Sequence, residues 1–154
     1  LIIKMKSLAL FAALLVLGEC AITYKDCGSV AGKITGITVS NCTTSPCQLK
    51  KGGNYTVNVT FATKEASDNA FAYVKGILDG IAVPFPLPNP DACMDPNSQI
   101  KCPLKNNQTY LYSATLPVSK EYPDVKVVVK WELQDAKTNG NDLFCFETPI
   151  VVVG

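Results

Sequence analysis

Between residues 55 and 61 apolar and polar side chains alternate strictly: Tyr55, Val57, Val59 and Phe61 fall on one side, Thr56, Asn58 and Thr60 on the other. A period of two marks a half-buried strand, because successive side chains leave opposite faces of the pleat. A second run extends the pattern. Val125, Val127, Val129, Trp131 and Leu133 alternate with Lys126, Val128, Lys130, Glu132 and Gln134, which predicts an antiparallel strand with one face on a core and one in water. Weaker versions at 22–27, 34–40, 71–78, 109–116 and 143–153 bring the expected total to about seven strands. Turn residues separate them, notably Lys51-Gly52-Gly53-Asn54, Asp79-Gly80 and Thr138-Asn139-Gly140-Asn141. The sequence shows no sustained helical periodicity, internal repeat or interdomain linker. Short strands at this spacing predict an all-β fold, an immunoglobulin-like sandwich rather than a barrel.

One segment breaks the alternation: Val83-Pro84-Phe85-Pro86-Leu87-Pro88-Asn89-Pro90 carries a proline at every second position. Proline lacks the N–H that a central ladder needs, so this stretch is expected to run extended along a sheet edge or across the end of the sandwich. As a simple connection it would be rigid. As a functional element it would be a stiff lip holding Phe85 over an opening.

A chain of 154 residues suits one domain. At its start Lys4 and Lys6 precede an apolar run from Leu8 to Leu17, followed by Gly18, Glu19 and Cys20, the layout of a secretory signal peptide. Met5 reads as the initiator, with residues 1–4 as upstream translation. The expected division is 1–20 for upstream residues and signal peptide, and 21–154 for the mature domain. The apolar run is too short to span a ~30 Å hydrocarbon layer. Removing Lys4, Lys6 and Glu19 leaves lysines and acids equal in number. Cleavage after Cys20 also turns an odd cysteine count into an even set: Cys27, Cys42, Cys47, Cys93, Cys102 and Cys145. Six cysteines allow fifteen pairings. Cys42 with Cys47 and Cys93 with Cys102 are near enough to staple short loops, which leaves Cys27 for Cys145. The sequons at Asn41, Asn54, Asn58 and Asn107 agree with a secretory route. Asn54, Asn58 and Asn107 are the candidate glycosylation sites, and Asn58 is the best of them because it lies on the outward face of its strand.

Charge and residue types then exclude several chemistries. Every basic residue is a lysine, so no guanidinium is present for bidentate phosphate or guanine contacts, and nucleic acid is not an expected partner. The absence of histidine removes Ser-His-Asp and Cys-His arrangements and every histidine-based metal site. The cysteine spacings do not form zinc knuckles. Carboxylates that can be placed on strands, such as Glu132, fall on solvent faces where nothing would raise a pKa. No phosphate-binding glycine motif occurs. The expectation is a protein that is not an enzyme and holds neither metal nor cofactor.

Several short motifs follow one another along the chain: Lys25-Asp26-Cys27-Gly28-Ser29, Gln48-Leu49 after Cys47, Asn58-Val59-Thr60-Phe61, Gly76-Ile77-Leu78, Val83-Pro84-Phe85-Pro86, Leu116-Pro117-Val118, Glu121-Tyr122-Pro123, Trp131-Glu132-Leu133-Gln134-Asp135 and Phe144-Cys145. In content and order they resemble the ML-domain lipid-recognition family over residues 22–153. The resemblance implies a seven-stranded immunoglobulin-like sandwich, the disulfide pairing above, and a hydrophobic pocket between the sheets. Its mouth would be Phe85, Val118, Tyr122 and Pro123. Its walls would include Val39, Leu49, Tyr55, Val57, Val74, Val83, Val127, Val129, Trp131 and Phe146. Phe146 stands where vertebrate members typically carry tryptophan, and the loop from Cys93 to Cys102 is longer than theirs, so both pocket width and rim can differ.

The resemblance also implies a role: holding a sterol such as cholesterol and delivering it to a membrane surface or a sterol-accepting membrane transporter, in the lysosomal lumen or outside the cell. Extracellular carriage of fatty acids or semiochemicals, and lipid recognition in innate immunity, are the alternatives. The residue pattern alone shows only buried apolar faces, and packed sheets are normally filled by their own side chains. Valine-rich facing strands leave more room than leucine or phenylalanine would. Lys120 and Tyr122 could meet a ligand head group at the rim.

Overall fold

The computed structural model describes residues 20–154, and the signal-peptide reading lies outside the described residues. Ten strands form two sheets among these residues: β1 (Cys20–Ala21), β2 (Lys25–Asp26), β3 (Gly32–Val39), β4 (Cys47–Lys50), β5 (Asn54–Thr63), β6 (Phe71–Leu78), β7 (Ile81–Phe85), β8 (Thr109–Pro117), β9 (Val125–Gln134) and β10 (Asp142–Val153). The first sheet runs β1-β3-β5-β8 and the second β2-β10-β9-β6-β7, with β4 added in parallel to the far end of β10. All other pairings are antiparallel. The two strands of clearest alternation, β5 and β9, each lie between two neighbours, and their apolar faces turn toward each other to form an immunoglobulin-like β-sandwich.

The strand expectations fail where alternation and hydrogen bonding part company. Residues 22–27 do not form one strand: Cys20 and Ala21 pair with β3 in one sheet, while Lys25 and Asp26 pair with β10 in the other. The chain crosses between sheets there. Ile22 and Tyr24 still pack on the core, which produces the alternating pattern without a continuous ladder. β4 is an extra strand in a four-residue stretch, where Cys47 and Leu49 turn inward and Gln48 and Lys50 outward. The proline-rich segment begins as β7, the edge strand of the second sheet, with Pro84 opposite Lys75 of β6. An edge is where a missing N–H costs least.

Cys27–Cys145, Cys42–Cys47 and Cys93–Cys102 are bridged, as the spacing suggests. One half of the interior is a solid aromatic block. Trp131 stacks on Phe146 with centroids 6.2 Å apart, while Phe144 meets Phe61 edge-on at 5.3 Å, and all four are fully buried. Tyr112 joins edge-on to Trp131 at 6.0 Å. Burial pushes its phenol far above the ordinary tyrosine range.

Candidate functional site

The inward residues of the second sheet lie in rows across its strands, and the rows differ in size. The row nearest the aromatic block is Phe85, Val74, Trp131 and Phe146. The next is Val83, Gly76, Val129 and Thr148. Beyond it, Val127 faces Ile150 and Val125 faces Val152 across β9 and β10. Glycine, valine and threonine in the second row are too short to reach the opposite side, where Leu116 of β8 and Val118 just after it line the space. A cavity of about 320 Å³ results.

Nine of the residues singled out from the sequence line this cavity: Leu49, Val74, Val83, Phe85, Val118, Tyr122, Pro123, Val127 and Val129. The remaining five, Val39, Tyr55, Val57, Trp131 and Phe146, lie deeper, around a separate space of about 30 Å³. The expected single pocket is thus two adjoining spaces, and Leu49, Leu116, Val129 and Ile150 border both. Sequence reasoning left out Leu116, Ile150, Val125, Val152 and Gly76. The first four were legible as inward positions at strand ends, whereas a glycine gives no apolar signal.

Polar wall groups are engaged locally. Thr148 donates its hydroxyl to the Thr23 carbonyl at 2.8 Å, and the Tyr55 hydroxyl accepts the Lys50 N–H at 2.7 Å. Buried Trp131 Nε1 has no hydrogen-bond partner among the described residues. At the mouth, Phe85 meets Tyr122 edge-on with centroids 6.3 Å apart. Val118 is held by two backbone bonds, from Gly52 N–H to its carbonyl at 2.6 Å and from its own N–H to the Gly53 carbonyl at 2.9 Å. Gly52 has φ +81°, a conformation that favours glycine and lets this turn close under the rim. Around the opening Leu78, Ile81, Val83 and Tyr122 are 38, 68, 54 and 37% exposed. Such a run of exposed apolar side chains marks a surface that meets something apolar. Lys75, between the inward Val74 and Gly76, sends its side chain to the outer face level with Lys130, while Lys120 lies against Gly52 beside the rim.

Just outside the strands read from the sequence, one carboxylate is strongly perturbed, Asp142. This residue starts β10 at a register irregularity beside β9, and its Oδ1 is buried with no hydrogen-bond partner among the described residues. Burial, then the charge of Glu132, pushes its carboxyl up to about 6, while Gln134 and Lys130 pull the other way and Asp135 adds a smaller upward push. Glu132 is itself ion-paired to Lys130 at 3.0 Å and accepts the Gln134 amide at 2.9 Å. The cluster lies on the outer face of the second sheet, away from the cavity, so its consequence is for stability. A carboxyl whose folded pKa is raised binds its proton before the unfolded chain does, so stability is gained as pH falls from about 6 to 3.8 and is lost again on the way up. Exposure reduces the effect by solvent screening to roughly 1 kcal/mol. Thermal unfolding is expected to give a melting point a few degrees higher at pH 5 than at pH 7, with the difference flattened in Asp142→Asn. An unchanged difference in that variant would locate the effect elsewhere.

Comparison with known proteins agrees with this architecture. A family model described as the ML domain matches residues 21–152. "NPC intracellular cholesterol transporter 2" of Mus musculus is 50% identical over 129 residues, covering 84% of this chain and 83% of the relative. "NPC intracellular cholesterol transporter 2 homolog a" of Drosophila melanogaster is 44% identical over 139 residues, covering 89% and 91%. The crystal structure of a Niemann-Pick type C2 protein from Japanese carpenter ant superposes with a TM-score of 0.79 at 30% identity, covering 86% of this chain and all of that one. With its sandwich, its three bridges and these matches along nearly its whole described length, the chain belongs to the ML domain family.

Proposed function

We propose that this protein holds a cholesterol-like sterol between its two sheets and delivers it to membranes or to a sterol-accepting membrane transporter. The observation that carries the reading is the cavity of about 320 Å³ with apolar walls and an apolar, exposed rim. Its volume lies at the lower end of the roughly 300–1,000 Å³ typical of small-molecule sites. A ligand longer than this space would press apart Leu49, Leu116, Val129 and Ile150 and enter the deeper one. Transfer of about 400 Å² of apolar ligand surface from water would contribute on the order of 10 kcal/mol before association costs. The names of the relatives support a sterol as the cargo. A second reading, carriage of a fatty acid or semiochemical, is favoured by one feature, the cationic Lys120, whose side chain lies against Gly52 beside the rim and could pair with a carboxylate. The disulfides and sequons support a secreted or lysosomal setting, with glycans on Asn58, Asn54 and Asn107. Asn58 lies level with Thr38 and Ser113 on the outer face of the first sheet, so a glycan there leaves the mouth free.

Delivery to a bilayer without unfolding needs the mouth to meet the lipid directly, and Ile81, Val83, Leu78 and Tyr122 are placed to do so. A fluorescent sterol is expected to bind purified protein at micromolar concentration or below and to leave for acceptor vesicles at a rate that rises with vesicle concentration. Ile81→Asp is expected to slow transfer severalfold while leaving equilibrium binding unchanged. Native mass spectrometry of co-purified lipid separates sterol from fatty acid. Failure of any sterol to bind would overturn the sterol reading.

A further inference from the structure

We propose that Gly76 sets the width of the cavity and thereby selects a broad fused-ring ligand over a single acyl chain; this rests on the sterol reading above. Glycine inside a strand loses more conformational freedom on folding than any other residue and packs no side chain, so its position often marks the close approach of another group. Gly76 is such a case. It occupies an inward position of β6, opposite Val83 on β7 and Val129 on β9, and it lines the cavity wall. No turn or unusual backbone angle calls for glycine there, since its φ is not in the left-handed region. What the missing side chain provides is space. A Cβ built at this position would come within 3.3 Å of Val127 Cγ2, tighter than comfortable packing, and would project into the notch between Val83 and Val129.

The notch lies in the row of short side chains, between Trp131 and Phe146, which close the deep end, and the row of Val127 and Ile150 on its other side. A ligand entering from the rim therefore meets its widest allowance at Gly76. A fused-ring system is broad and rigid and cannot bend around an added methyl group. A single acyl chain is narrow and can rotate past it. The position thus discriminates by cross-section, independently of any head-group contact at the rim.

The test pairs two ligands with two changes. Binding of a fluorescent sterol and of palmitic acid is measured for the full-length protein, for Gly76→Ala, and for Gly76→Ala combined with Val127→Ala, which removes the methyl group that the new Cβ would crowd. Gly76→Ala is expected to fold with a melting point equal to or above that of the parent, to bind sterol about tenfold more weakly or worse, and to bind palmitic acid unchanged. The double change is expected to restore most of the sterol affinity. Equal loss for both ligands, no loss for sterol, or no recovery in the double variant would overturn the assignment of Gly76 while leaving the sterol reading intact. Absence of sterol binding by the parent protein would instead remove the sterol reading, and this inference with it.

Discussion

Val129→Phe is expected to abolish measurable sterol binding while leaving the protein as stable as the parent or slightly more so. Val129 borders both the larger cavity and the deeper space, and it faces Gly76 on one side and Thr148 on the other, the two neighbours least able to fill the gap themselves. A phenyl ring at this position would occupy the centre of the path that a ligand must take. Filling an existing void adds contacts without displacing packed neighbours, so the overpacking cost of about 1–3 kcal/mol that a full core would impose is largely avoided here. The loss of affinity should exceed about a hundredfold, or about 2.8 kcal/mol. Thermal unfolding together with sterol titration checks both halves. Retained sterol binding would mean that the ligand does not use the space between the sheets. A collapsed melting point would mean that Val129 belongs to solid core.

That contrast between filled and unfilled interior explains what the sequence could and could not convey. Strand faces were legible because burial on one side imposes a period of two, and β5 and β9 lie where the alternation places them. The disulfides were legible because two short spacings left one long one. Residues 22–27 misled because Ile22 and Tyr24 keep their inward alternation through a crossing between sheets, where side-chain burial persists but ladder bonds do not. β4 escaped notice because four residues, starting where the Cys42–Cys47 loop closes, are too few to show a period. The walls of the site were recoverable by resemblance, but the reason for a cavity was not, since buried valines read alike in a packed core and in a pocket. The deciding feature is a cross-strand row, Val83, Gly76, Val129 and Thr148, assembled from the β6–β7 hairpin, β9 and β10. Row composition depends on register, and register is fixed only by the folded ladder. Asp142 was missed for a related reason: its burial arises from the β9–β10 irregularity, not from its own segment.

Removing the bridge between Cys27 and Cys145, by Cys27→Ala with Cys145→Ala, is expected to cost the most stability of any of the three disulfides. The bridged residues lie 118 positions apart, against 5 and 9 for the other two pairs. In the chain-entropy account a loop of this length is worth about 5 kcal/mol, whereas the local bridges are worth about 2–3 kcal/mol each. For a domain of this size the larger figure corresponds to a fall in melting point of roughly 10–20 °C. Local structure points the same way. β2 is only two residues long and pairs with Phe146 and Glu147 of β10, with one further backbone bond from Cys27 N–H to the Cys145 carbonyl at 3.0 Å. Without the bridge this short strand has little to hold it. Tyr24, which packs edge-on to Phe146 at 6.4 Å, and Ile22, which closes the wall of the deeper space, would loosen with it, so ligand retention should fall alongside stability. Denaturant unfolding of the three double-alanine variants gives the ranking. If loss of Cys93–Cys102 proves as costly as loss of Cys27–Cys145, the bridges act through local packing in the folded state and not through closure of the long loop.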